Sequence, residues 1–160
     1  MLRLVLLATT PHGKEERGAE EIGNTLFRLD SQVDVRLTRF PGVLLVYSER
    51  LTPDQAFRAL SSRYLSWVAR VVPAHTVLEG PDPEMLATTV ARLVERRGGT
   101  LYRLDCSFRG FKLSCTELKR RVAEILGAGY RFEPRNPQIC VRVESVDRLV
   151  VVGVLSCSKG

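Results

Sequence analysis

The chain has 160 residues, enough for one ordinary domain or two very small ones. A composition 44% hydrophobic and 26% charged excludes disorder along the whole chain, and a net charge of +6 points toward polyanions. The longest apolar run, Leu149 to Leu155, is too short to cross a bilayer, and Leu4 to Ala8 is too short for the apolar core of a signal peptide. The expectation is a cytoplasmic protein with no membrane partner.

The first half reads as strand, helix, strand, strand, helix, strand. Leu2 to Thr9 is an apolar opening strand. Glu15 to Arg28 places Ala19, Ile22 and Leu26 on one helical face, with acids in the first turn where the helix dipole favours them. Val33 to Thr38 alternates, and Pro41-Gly42 turns the chain into Val43 to Tyr47. Thr52-Pro53-Asp54-Gln55 is a capping box with proline at the first helical position, opening a helix to about Arg63. Ser66 to Val72 returns as a strand. This βαββαβ order over residues 1–75 predicts a ferredoxin-like sandwich, a fold that does not by itself specify a function.

The second half, residues 76–160, reads as an α/β domain in the order αβαββ, so the fold class of the chain is α+β. Asp82 caps a helix with Pro83 at its first position and Leu86, Val90, Leu93 and Val94 as its apolar stripe. Thr100 to Phe108 alternates Tyr102, Leu104 and Cys106 against Arg103, Asp105 and Ser107. Ser114-Cys115-Thr116-Glu117 reads as a second capping box, before a helix that buries Leu118, Val122, Ile125 and Leu126. Ile139, Val141 and Val143 mark one strand. Leu149 to Leu155, apolar on both faces, belongs inside a sheet.

Cys106, Cys115, Cys140 and Cys157 lack the tight ligand spacing of a structural zinc site, and only His12 and His75 supplement them. The expectation is four buried free thiols, no metal and no cofactor. The window from Arg92 to Arg135 holds eleven cations against five acids, and the rest of the chain balances at thirteen of each sign. That window therefore carries the entire surplus, as a polyanion-binding surface does.

Within it, Arg109-Gly110-Phe111-Lys112 sets two cations and an aromatic ring on a loop beside a helix N-terminus, where free N–H groups and the dipole favour phosphate. Lys119, Arg120 and Arg121 lie along the following helix, away from its apolar stripe. Arg131 and Arg135 lie in the next loop. All suit the RNA backbone, and Phe111 suits either stacking on a base or filling a groove between helix and sheet. Arg92 and Arg96, on the preceding helix, are the doubtful members of the window.

The sequence Phe108-Arg109-Gly110-Phe111-Lys112, the helix capped by Ser114, and Pro134-Arg135-Asn136-Pro137-Gln138-Ile139-Cys140-Val141-Arg142-Val143-Glu144 together resemble the THUMP family of RNA-binding domains, over roughly residues 77–160. The first half resembles the ferredoxin-like domain that precedes THUMP in 4-thiouridine synthetases. Taken whole, the chain is similar to small archaeal-type THUMP proteins related to the adaptor of tRNA cytidine acetylation. The resemblance implies tRNA binding and no catalytic residues in this chain. It also implies a partner acetyltransferase that makes N4-acetylcytidine.

Two other readings stand beside it. A ferredoxin-like regulatory module binding a small molecule or a protein explains the first half, but not the charge concentrated in the second. A small phosphate-directed hydrolase would need a phosphate loop, and Pro11-His12-Gly13-Lys14 lacks the upstream glycine and the following Ser or Thr.

Overall fold

A computed structural model describes residues 1–157 of the chain. They divide into two compact units, residues 1–75 and residues 76–157.

Unit 1 contains β1 (Arg3–Thr9), α1 (Glu15–Leu26), β2 (Asp34–Leu37), β3 (Val43–Ser48), α2 (Pro53–Ser61) and β4 (Arg70–Pro73). The strands form one antiparallel sheet in the order β2-β3-β1-β4. Val5, Leu6, Ala8, Leu44 and Val46 of the sheet meet Ile22 and Leu26 of α1 and Ala56 and Leu60 of α2 in one core. The box at Thr52 forms in both directions: Thr52 Oγ1 accepts the Gln55 N–H at 3.1 Å, and Gln55 Oε1 accepts the Thr52 N–H at 2.9 Å. The turn into β3 needs glycine, because Gly42 sits at φ +77° and a Cβ there would lie 2.5 Å from the Thr10 carbonyl oxygen. Asp30, buried, ties the α1–β2 connection to β3 by accepting the Ser48 hydroxyl at 2.6 Å and the Gln32 N–H at 2.9 Å.

The last strand of unit 1 begins later than the alternation suggests. Glu21 of α1 takes the N–H groups of Ser66 and Trp67 at 2.5 and 2.8 Å. The backbone there is held by a side chain, and the ladder with β1 starts only at Arg70, opposite Thr9.

Unit 2 contains β5 (Thr76–Glu79), α3 (Pro83–Glu95), β6 (Leu101–Ser107), α4 (Cys115–Leu126), β7 (Arg131–Phe132), β8 (Ile139–Val146) and β9 (Leu149–Leu155). Its five-stranded sheet runs β5-β9-β8-β6-β7. β6 lies parallel to β7 and β8, and β9 lies antiparallel to β5 and β8. β9 is interior, where its continuous apolar sequence belongs. β5 and β7 are additions to the αβαββ order, both short strands at the sheet's edges. The two helices cover one face: Leu86, Val90, Leu93 and Val94 of α3 and Leu118, Val122 and Leu126 of α4 pack on Tyr102, Leu104, Val141, Val143, Val150 and Val152.

The cysteines are paired, which corrects the expectation of free thiols. Cys106 is bonded to Cys115 and Cys140 to Cys157, with Cα–Cα distances of 5.6 and 5.4 Å. The first bond ties β6 to the first residue of α4; the second ties β8 to the segment after β9. Among the described residues no helix is long and apolar enough to cross a membrane.

Candidate nucleic-acid interface

The loop from Phe108 to Leu113 connects β6 to α4, and each end is fixed. At its start the Arg109 N–H donates to Ser145 Oγ at 2.7 Å, and the Asp147 N–H donates to the Arg109 carbonyl at 2.8 Å. At its end Ser114 caps α4 by accepting the Glu117 N–H at 3.0 Å. The reciprocal half expected of a capping box does not form, because the Glu117 carboxylate turns to Arg120 and Arg121. The Cys106–Cys115 bond closes the loop across its base. Between these anchors Gly110 takes a positive φ of 70°, and Lys112 is exposed.

Arg109 does not point its charge at solvent. Its Nη1 lies 2.9 Å from Oε1 of Glu144, whose side chain is fully buried, and 3.4 Å from the Ser145 carbonyl. Arg142 donates to the other carboxylate oxygen of Glu144 at 3.2 Å and lies 4.0 Å from Asp105, which in turn takes Arg103 at 2.9 Å. Arg103 and Asp105 of β6, Arg142 and Glu144 of β8 and Arg109 of the loop form a ladder of alternating charge, whose strand residues lie on the face opposite the helices. The guanidinium expected to meet phosphate is thus engaged by a buried carboxylate in this structure. Phe111 is half-buried: its ring lies 5.7 Å from that of Phe108 and packs against the core. This is the groove-filling position of the two considered for it.

The α4 cations differ from one another. Arg120 pairs with Glu117 at 2.6 Å and with Glu124; Arg121 pairs with Glu117 at 2.7 Å and lies 3.9 Å from Glu84. The Arg120 and Arg121 hydrogen bonds hold the Glu117 carboxyl below its ordinary range, while Glu117 raises Arg120 further. Such exposed pairs are weak because solvent screens them, so a phosphate competes with them readily. Lys119 sits over the Phe132 ring at 5.1 Å.

Arg131 and Arg135 lie at the other end of β6. The Arg131 N–H donates to the Thr100 carbonyl at 2.9 Å, and Gln138 Oε1 accepts the N–H groups of Thr100 and Leu101 at 2.8 and 3.1 Å. Arg131 lies 3.6 Å from Glu133, while among the described residues Arg135 and Lys112 have no carboxylate within ion-pair distance. The predicted residues therefore form no single cluster. Phe111 and Lys112 occupy one end of unit 2, Arg131 and Arg135 the other, and α4 carries Lys119, Arg120 and Arg121 between them. Sequence reasoning missed the ladder, although the i, i+2 placement of Arg103 with Asp105 and of Arg142 with Glu144 was its visible sign.

No family model and no curated protein matches the chain. Its fold recurs in solved structures. Over 98% of this chain, PH1313 from Pyrococcus horikoshii Ot3 superposes at a TM-score of 0.72 with 13% identity. TrmN from Thermus thermophilus superposes over 98% at 0.66 with 19% identity. A 4-thiouridine synthetase, solved as an RNA complex with bound ATP, superposes over 99% at 0.57 with 13% identity. The chain covers 55%, 46% and 43% of those three chains, so it spans about half their length. At these identities the likeness is one of fold.

Proposed function

We propose that this chain is a THUMP-type protein that binds folded tRNA through the basic surface of unit 2 and carries no catalytic residue of its own. The observation that supports this best is the Lys112 loop: an exposed cation without an ion-pair partner among the described residues, on a loop fixed at both ends beside the capped start of α4. Because its anchors are already in place, binding a phosphate there costs little ordering. Double-stranded RNA presents its backbone and 2′-hydroxyls rather than readable base edges, which suits a cationic surface of fixed shape. The shared fold with a synthetase solved in complex with RNA lends the reading further support.

In this reading Lys112, Lys119, Arg131 and Arg135 meet the backbone directly. Arg120 and Arg121 exchange carboxylates for phosphates, and Arg109 and Phe111 hold the loop. His75 is tied to Asp54 at 2.7 Å, and neither it nor His12 on its exposed loop is given a chemical role. Chemistry then belongs to a partner, for which the family resemblance suggests a tRNA acetyltransferase forming N4-acetylcytidine in the cytoplasm.

The test is a titration of labelled bulk tRNA with the purified chain at several salt concentrations. Affinity should fall steeply with salt, and Lys112→Glu with Arg135→Glu should lower it at least tenfold while thermal stability is retained. Unchanged affinity in that variant, or no salt dependence, would overturn the binding surface. A modified nucleoside formed by the chain and tRNA alone would overturn the adaptor role.

A further inference from the structure

The end of unit 2 away from Lys112 is more basic than the sequence reading allowed. Arg96 caps the C-terminus of α3, and Arg97 follows it before the Gly98-Gly99 turn into β6. Arg131 bonds through its backbone to Thr100, three residues beyond Arg97. Arg135 lies between Glu133, whose N–H donates to the Tyr102 carbonyl at 2.7 Å, and Gln138, whose side chain holds the start of β6. These contacts bring Arg92, Arg96, Arg97, Arg131 and Arg135 to one end, all exposed, with the acids Glu95 and Glu133 beside them in sequence. Among the described residues no carboxylate pairs with Arg92, Arg96, Arg97 or Arg135, and Glu133 takes Arg131 at 3.6 Å. Compensation of the α3 dipole accounts for Arg92 and Arg96 in the helix's last turn. It does not account for Arg97 beyond the helix, nor for Arg131 on β7 and Arg135 in the loop after it.

We infer that unit 2 grips RNA at two separated points, the Lys112 loop and a second phosphate-contact cluster of Arg96, Arg97, Arg131 and Arg135, so that its ligand is a helical stem and not a single phosphate or nucleotide. This rests on the RNA-binding reading and specifies its substrate. The two points are set apart by β6, whose seven residues rise about 3.3 Å each, and by the twelve residues of α4 at about 1.5 Å each. Both give a separation of roughly 20 Å. An A-form RNA stem rises less per base pair than the roughly 3.4 Å of DNA, so that separation corresponds to somewhat more than about six base pairs of duplex. Lys119, Arg120 and Arg121 lie along the intervening helix, where a bridging stem would pass.

The experiment compares RNA hairpins with stems of about four and about ten base pairs by fluorescence anisotropy, using the full chain, with polyglutamate as a competitor. The longer stem reaches both points and should bind at least tenfold tighter, since the second contact becomes intramolecular. Arg96→Glu with Arg97→Glu should remove that advantage and shallow the salt slope by about one unit per lost phosphate contact. The same pair should weaken the short stem about twofold, because the short stem then has one end to bind instead of two. Arg131→Glu with Arg135→Glu should reproduce both effects. Equal affinity for the two stems, or an undiminished long-stem advantage in both double variants, overturns the two-point grip while leaving RNA binding in place. Polyglutamate displacing the long stem at equal charge concentration would show a polyanion site without preference for duplex, and overturns it too. If neither stem binds the unaltered chain, the RNA-binding reading itself fails.

Discussion

Replacing Arg109 by methionine separates a positioning residue from a phosphate contact. Glu144 is fully buried, with one carboxylate oxygen on Arg109 at 2.9 Å and the other on Arg142 at 3.2 Å. Methionine keeps most of the side-chain volume and removes the charge, leaving a buried carboxylate with part of its compensation gone. Removing one partner of a buried pair costs about 3–5 kcal/mol. Arg142 remains, and Arg109 itself is 20% exposed, so the expected loss is at the lower end, about 3 kcal/mol. Arg109→Met with Glu144→Met should recover much of this, since replacing both partners by apolar groups is close to neutral. The chain's one tryptophan, Trp67, lies in unit 1, so the assay is amide hydrogen exchange in β6 and β8 of unit 2. The exchange free energies should fall in the single variant and recover in the double one. A single variant within about 0.5 kcal/mol of the original chain, yet weak in tRNA binding, would refute the positioning role and return Arg109 to the phosphate surface.

The Cys106–Cys115 bond closes a short loop, and loop-closure entropy assigns such a bond about 2–3 kcal/mol. Cys106→Ala with Cys115→Ala should lower the urea midpoint of unit 2 accordingly, and thiol titration of the unfolded, unreduced chain should find no free thiol; four reactive thiols would contradict the pairing. In unit 1, the Ser48 hydroxyl and then the Gln32 N–H hold the Asp30 carboxyl below its ordinary range. A depressed folded-state pKa contributes stability above the unfolded value, near 3.9, and that contribution is lost as pH falls through the folded value. Asp30→Asn should therefore lower stability at neutral pH and flatten the acid side of the stability curve followed by Trp67 fluorescence; an unchanged acid side would contradict this.

The features legible in the sequence were those encoded locally. The caps at Thr52, Asp82 and Ser114 and the stripes of α1 and α3 follow from residues three or four apart, and the structure contains them; on α4 Leu118, Val122 and Leu126 are buried as expected, but Ile125 is exposed. β5 and β7 were missed because strands of four and two residues carry too little alternation to stand out, and each exists only through its neighbour in the sheet. The charge ladder depends on parallel pairing of β6 with β8, which sets Asp105 opposite Arg142 and Ser107 opposite Glu144, and the disulfides depend on where α4 and β9 come to lie beside β6 and β8. No spacing along the chain specifies that register. Charge counting located the basic window, but it could not divide cations held by carboxylates from cations left open. Arg109, expected to be open, is held by Glu144, while Arg96, doubtful in the sequence, and Arg97, given no role there, have no carboxylate partner among the described residues.

Ultraviolet crosslinking of the chain to a total tRNA pool, with both the RNA positions and the crosslinked peptides sequenced, tests the account most directly. Crosslinks are expected from the segment holding Phe111 and Lys112, and from those holding Arg96, Arg97, Arg131 and Arg135, to paired regions of tRNA. Crosslinks confined to unit 1, or no enrichment of tRNA over a size-matched single-stranded RNA, would contradict it.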